Sequence, residues 1–295
     1  MPESKNIDKL KLFLSDKFEI VNLIASGGMG EVYLGIHKKL GKKTAIKVIH
    51  QEMNQDKDVR QRFLKEAQLA ASIDHPGIIQ VMDFGTYEDF DYLVMPFIEG
   101  NTLCEEIGKR SIGVEKALTF MIPMVEAISH AHRKNIIHRD ITPSNYIIDS
   151  QGKIILTDFG ISKKVSDVNL TAKNIIMGSP KYMSPEQIMS KSVDHRCDLY
   201  ALGMLFYRML TGIHPFESDD FTTIAFKQIN ETPQHPCQIN KDIPAYLGDA
   251  IMRLLEKDPD KRFPDGEALL CFLKQTHSHR DYVSGDNKTF VDHEY

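Results

Sequence analysis

The spacing of apolar residues changes partway along the chain. Residues Phe18–Tyr33 and Lys43–His50 carry short β-branched and apolar runs, the first interrupted by Ala25-Ser26-Gly27-Gly28-Met29-Gly30. This pattern predicts two strands joined by a glycine turn and then a third strand, an antiparallel start. From Asp58 the period becomes helical: Val59, Phe63, Ala67, Ala70 and Ala71 recur among charged residues until His75-Pro76-Gly77 breaks the segment. Ile78–Asp83 and Tyr92–Phe97 predict two more strands, so the chain up to residue 97 is expected to form a small sheet with one long helix.

Beyond Glu99-Gly100-Asn101 the helical period dominates. Ala117–Arg133 has apolar residues on most turns, Ala201–Leu210 is nearly all apolar, and Ile243–Leu255 and Pro264–Gln275 are amphipathic. The expectation is an α+β chain of two lobes, the second mainly α. Within it, Tyr146–Asp149 and Ile154–Thr157 predict a hairpin turned by Ser150-Gln151-Gly152. The polar stretch from His277 to Tyr295 reads as a tail.

Composition narrows the function classes. The 36 Lys and Arg against 41 Asp and Glu give a net charge of −5, so no overall basic field draws nucleic acid or anionic lipid. Any phosphate chemistry must be local. The 4 cysteines, Cys104, Cys197, Cys237 and Cys271, form no CxxC pair, which argues against a zinc ribbon or redox motif and for reduced thiols in a cytoplasmic setting. No apolar run approaches the roughly 18–20 residues of a membrane span, and the start MPESKNIDKLKLF lacks a signal-peptide core.

Candidate chemistry begins at Gly27-Gly28-Met29-Gly30, where glycines let backbone N–H groups approach a bulky anion. Any β-hairpin can use glycines, so this motif alone leaves both readings open. It is neither a Walker loop nor a Rossmann fingerprint, because no Gly-Lys-Ser/Thr is present and a strand follows. Lys47, in Ala45-Ile46-Lys47, and Glu66, on the long helix, fit a lysine reaching phosphate with a carboxylate holding its stem; each also fits a solvated face. Then come His138-Arg139-Asp140-Ile141-Thr142-Pro143-Ser144-Asn145, Asp158-Phe159-Gly160 13 residues after Asn145, Gly178-Ser179-Pro180 and Ser184-Pro185-Glu186.

This ordered set resembles the protein kinases, and specifically the eukaryotic-like (Hanks-type) serine/threonine kinases of bacteria, through GGMGEVY, HRD…N, DFGIS and GSPKYMSPEQ. The resemblance implies the bilobal kinase fold: an extension over 1–16, an N-lobe over about 17–95, a hinge over 96–100, a C-lobe over 101–275 and a tail over 276–295. It implies ATP and Mg²⁺ as cofactors and transfer of a γ-phosphoryl group to Ser/Thr hydroxyls of protein substrates. Lys47, held by Glu66, is expected on the α- and β-phosphates; Asp158 and Asn145 on the metal; Asp140 on the proton of the attacking hydroxyl. The segment Ile24, Ala25, Ser26, Gly27, Gly28, Met29, Gly30, Glu31 and Val32 is expected over the nucleotide. Val32 and Ala45 would lie above the adenine, Ile147 below it, and Met95, Pro96 and Ile98 along its edge. Pro96 lacks an N–H, but the family takes its donated N–H two residues later, here from Ile98. Met95 fits equally the limit of a rear pocket or ordinary core filler. Asp198 matches the helix aspartate that steadies the catalytic loop, Arg262 matches the partner of Glu186, and His138 reads as a packed loop residue rather than a base.

Two departures from the family pattern stand out. Ala25 replaces the first glycine, and Thr142 replaces the lysine two residues after the loop aspartate, removing one phosphate-directed charge. Gly178-Ser179-Pro180-Lys181-Tyr182 resembles the substrate-facing segment of Ser/Thr kinases, with Ser179 at the usual threonine position. Arg139 beside Asp140 implies autophosphorylation, with Ser162, Ser166, Thr171 and Ser179 as candidates and Thr171 the best aligned, and admits a kinase-domain dimer acting in trans. The rival readings are a pseudokinase or nucleotide-binding scaffold, suggested by Thr142, and a small-molecule kinase, against which Glu186 and Arg262 argue.

Overall fold

Gly27 and Gly30 face each other across a strand turn, and the strands on either side set the register of the N-terminal sheet. The computed structural model describes residues 11–27, 30–49, 67–68, 70–87, 90–108, 110–158, 180–218 and 220–274. Strands β1 (Phe18–Gly27), β2 (Gly30–His37), β3 (Lys43–Ile49), β4 (Asp83–Tyr87) and β5 (Phe90–Pro96) form an antiparallel sheet in the order β1-β2-β3-β5-β4. Side chains alternate across a strand. Val32 pairs with Lys47 and Ala45 with Met95, so these four share one face. Tyr33, Ile46, Val48, Tyr92 and Val94 occupy the other, where they form a cluster with Leu14, Phe18 and Ile20.

The sequence places a strand over Ile78–Asp83; the structure starts β4 only at Asp83. The difference has a physical cause. The amide of Ile79 donates to Leu156 O (2.8 Å) and that of Leu156 to Gly77 O (2.9 Å), so the start of this stretch bonds the second lobe, and the chain joins the sheet only where Met82 N donates to Val94 O (2.8 Å). Of the helix expected from Asp58, 67–68 and 70–71 are described and helical; Val59, Phe63 and Glu66 lie outside the described residues, as does the tail from His277.

The second lobe contains α1 (Leu103–Ile107), α2 (Val114–Arg133), α3 (Pro185–Ile188), α4 (Arg196–Thr211), α5 (Phe221–Asn230), α6 (Pro236–Ile239), α7 (Ala245–Leu254) and α8 (266–274), with a small sheet of β6 (Gly100–Thr102), β7 (Tyr146–Asp149) and β8 (Ile154–Leu156) packed on α1 and α2. The β7–β8 hairpin falls where the sequence predicts it. Asp149 Oδ1 accepts the amides of Gln151 and Lys153, each at 2.9 Å, and Gly152 takes the left-handed φ of 80° that the turn needs. Helix α2 buries Ala117, Met121, Met124, Val125, Ile128 and Ala131 along one stripe, and Asn135 at φ 58° turns the chain away after its end. Helix α4 is buried on nearly every side, which makes it the axis of the lobe. Among the described residues no helix is long and apolar enough to cross a membrane.

Glu186 at the start of α3 and Arg262 pair as the sequence suggests. The guanidinium is 2% exposed and grips the carboxylate with two bonds, 2.7 and 2.8 Å, while donating to the carbonyls of Glu256 (2.8 Å) and Arg196 (2.9 Å). Removing one partner strands the other charge in the core. Arg262→Met is therefore expected to lower unfolding stability by about 3–5 kcal/mol in urea titration, and Arg262→Met with Glu186→Leu by less, since neither variant residue leaves a buried charge.

Candidate active site

The loop after α2 is held by one buried carboxylate. Asp198 lies in the first turn of α4, 1% exposed, and accepts the amides of His138 (2.8 Å to Oδ2) and Arg139 (2.8 Å to Oδ1) together with Nε2 of His132 (2.8 Å to Oδ2). Burial alone would lift this carboxyl, but those bonds and the adjacent imidazoles hold it below the ordinary carboxylate range. To present both amides the chain bends so that Arg139 takes φ 65°. Gln187 Nε2 fastens the far side of the bend by donating to Arg139 O at 3.0 Å. His138 is fully buried, and burial pushes its imidazole down, so Nδ1 accepts the Asp140 amide (3.2 Å). It is a packed loop residue, as its sequence context suggests.

Asp140 and Asn145 come together across this loop. Asn145 Nδ2 donates to Asp140 O (2.8 Å) and to Asp140 Oδ2 (3.3 Å). With its amide nitrogen committed in this way, Oδ1 is the atom that the Asn145 side chain can offer to a cation. Asn145 O in turn accepts from Thr157 N (2.8 Å) and Thr157 Oγ1 (3.0 Å), which ties the loop to the residue before Asp158. Thr142 is buried at 4% exposure, with its hydroxyl bonded to Ser144 Oγ at 2.8 Å.

From the other lobe, Lys47 Nζ reaches Asp158 Oδ1 at 2.8 Å, residues 111 apart in sequence. The lysine side chain is 11% exposed and the aspartate 37%, so the pair opens to the cleft on the carboxylate side. Asp158 retains a second carboxylate oxygen beyond the one Lys47 takes. Val32, Ala45 and Met95 share the face of the sheet that carries Lys47. Met95 is 5% exposed and packs with Ile79 and Ile155, with Ile98 against the same cluster. Ile147 pairs directly with Ile155 and so shares its face. Apolar residues from both lobes thus meet in the cluster of Ile79, Met95 and Ile155, and Pro96 ends β5 directly after Met95.

Other expected site residues are placed differently. Glu31 points to the opposite face from Val32, where the Tyr33 hydroxyl donates to its carboxylate at 2.5 Å, so the strand period corrects its assignment to the nucleotide site. Gly30 has a packing reason of its own: a Cβ there would lie 2.0 Å from Val48 O. Ile24, Ala25, Ser26 and Gly27 are exposed at the end of β1, and the β1–β2 register slips between Leu23 and Ala25. Gly28, Met29, Glu66, Ser162, Ser166, Thr171 and Ser179 lie outside the described residues. Sequence reasoning missed His132 and Gln187. Only Gln187 had a local signal, the Ser184-x-x-Gln187 capping box, whose reciprocal bonds the structure contains.

The protein kinase domain model matches residues 18–271 of the chain. The serine/threonine-protein kinase PrkC of Bacillus subtilis is 36% identical over 262 residues, 88% of this chain and 40% of that protein. PknB of Mycobacterium leprae is 32% identical over 271 residues, 90% of this chain and 44% of that protein. The chain therefore spans less than half the length of these curated relatives. The crystallised PknI kinase domain of Mycobacterium tuberculosis superposes with a TM-score of 0.70 at 25% identity, covering 88% of this chain and 96% of that one. Two lobes of the expected topology, a loop anchored by a buried aspartate and a family match across 18–271 lead to one conclusion: the chain belongs to the protein kinase domain family and, within it, is similar to the serine/threonine kinases of bacteria.

Proposed function

We propose that this chain transfers the γ-phosphoryl group of ATP, with Mg²⁺, to serine or threonine hydroxyls of protein substrates, and phosphorylates its own 159–179 segment. The observation that carries this reading is the approach of Lys47 to Asp158 at 2.8 Å beside a loop in which Asn145 binds Asp140. Phosphoryl transfer spreads charge over nonbridging oxygens and is favoured by cations and fixed donors placed around them. Lys47 supplies a cation for the phosphates. Asn145 Oδ1 and the Asp158 carboxylate are hard oxygen donors of the kind Mg²⁺ takes, while most of its remaining ligands are water and phosphate. When bound, the metal neutralises charge on the phosphate oxygens. Asp140 orients the substrate hydroxyl and accepts its proton, and the Asn145 bonds hold it ready for that task. Val32, Ala45 and Ile147 bracket the adenine.

Label transfer from ATP to casein in the presence of Mg²⁺ tests this reading. Wild type is expected to transfer, whereas Asp140→Asn and Lys47→Met lose at least about 100-fold in kcat/KM, the scale of losing one contact made in the transition state. Nucleotide binding by the wild type without any transfer would instead favour a pseudokinase scaffold. At position 142 a neutral side chain stands where the family has a lysine. Thr142→Lys is therefore expected to raise kcat by about tenfold or more, within the roughly 100–1,000-fold that one such donor supplies elsewhere. An unchanged kcat in steady-state assays would mean that another cation already fills that role.

A further inference from the structure

We propose that His214 and Gln228 are positioning residues for the protein substrate, acting through the main chain of the segment that begins at Pro180. The inference rests on the kinase reading above, in which Gly178–Tyr182 faces the substrate. The Lys181 carbonyl accepts two side-chain bonds, from Gln228 Nε2 at 2.7 Å and from His214 Nε2 at 2.9 Å. Its donors come from separate elements: His214 follows α4, and Gln228 is on α5. The next residue is gripped as well. The Tyr182 ring meets the His214 ring edge-on at 5.4 Å and 90°, and the Tyr182 hydroxyl accepts from Arg208 Nη1 at 2.9 Å.

The chemistry of the pair is specific. With its proton on Nε2, His214 donates to the Lys181 carbonyl, and Nδ1 accepts the Phe216 amide at 3.2 Å, with the Phe216 carbonyl 3.1 Å from the same nitrogen. Burial pushes this imidazole down to about 4, and the nearby Lys181 and Arg208 charges act in the same direction, so the neutral form makes the clamp. Gln228 is fully buried, and its Oε1 has no hydrogen-bond partner among the described residues. An apolar residue of that length would avoid leaving a buried polar atom unsatisfied, so packing alone does not explain the glutamine. Its use is the Nε2 bond.

The clamp is one end of a rigid connection. Beyond Tyr182 the Ser184–Gln187 capping box starts α3, and Gln187 Nε2 donates to Arg139 O next to Asp140. The segment is thus fixed at the Lys181 carbonyl on one side and at the catalytic loop on the other. His214 and Gln228 set where the peptide-facing backbone lies relative to Asp140 and touch neither nucleotide nor reacting atoms.

The experiment compares Gln228→Met, which conserves length and removes the donor, His214→Leu, and His214→Gln, which restores a donor at a similar reach, all in the full chain. Steady-state assays use casein and MgATP, and hydrogen–deuterium exchange follows the amides of 181–184. Gln228→Met and His214→Leu are expected to raise the KM for casein at least fivefold, to leave the KM for MgATP within twofold and to speed exchange over 181–184; His214→Gln stays within twofold of wild type throughout. A wild-type chain that transfers to casein while Gln228→Met and His214→Leu keep its casein KM overturns this inference and leaves the kinase reading standing. A parallel rise in both KM values overturns it too, because it signals general loosening. No transfer by the wild type overturns both.

Discussion

A single negative charge buried in the first turn of a mainly apolar helix dictates the polar architecture of this protein. Asp198 is 1% exposed in α4, and an isolated carboxylate in such a place would be prohibitive without N–H donors. The donors are two consecutive backbone amides, those of His138 and Arg139, and one imidazole, His132. Satisfying the charge forces the loop to wrap around the helix start and imposes the left-handed backbone at Arg139. Asp140 and Asn145 follow immediately, so their mutual bonds and their place in the cleft descend from a requirement of the core.

The opposite wall of the cleft is set by strand alternation. Because Val32 faces Lys47 across β2 and β3, and Ala45 faces Met95 across β3 and β5, the lysine and the apolar residues arrive on one face together. The lobes are joined at several depths: Lys47 to Asp158, the Ile79 and Leu156 amides in a short two-way exchange with Leu156 and Gly77 carbonyls, and Lys134 Nζ on Ser72 O at 2.6 Å. Between them Met95 packs with Ile79 and Ile155 in a small buried cluster.

Much of this was legible in the sequence, for reasons that differ by element. The glycine turn, the β-branched runs and the Ser150-Gln151-Gly152 hairpin carry strong local signals, and β7 ends where its sequence says. Helices α1 and α3 are too short to show a period, and their capping boxes are their one local mark. Ile78–Asp83 looks like a strand because it starts on an apolar run, yet Ile78 and Ile79 pair with Leu156 of the other lobe, a fact no local pattern encodes. The motif resemblance singled out Lys47, Asp140, Asn145 and Asp158, and the fold brings Lys47 to Asp158 and Asn145 to Asp140, while the period of two turns the Glu31 side chain to the other face of β2. The long-range partners of His132, Gln187, His214 and Gln228 were invisible because they lie 66, 48, 33 and 47 residues distant. Such contacts depend on helix packing around α4.

The account stands on Lys47, Asn145 and Asp158 forming one site for a metal-bound nucleotide. Calorimetric titration of ATP with and without Mg²⁺, into wild type and Asp158→Asn, addresses that most directly. The account predicts that Mg²⁺ tightens ATP binding to the wild type at least about tenfold and has little effect on Asp158→Asn, since a carboxylate ligand is lost while the slot for adenine remains. Equal tightening in both proteins would contradict it.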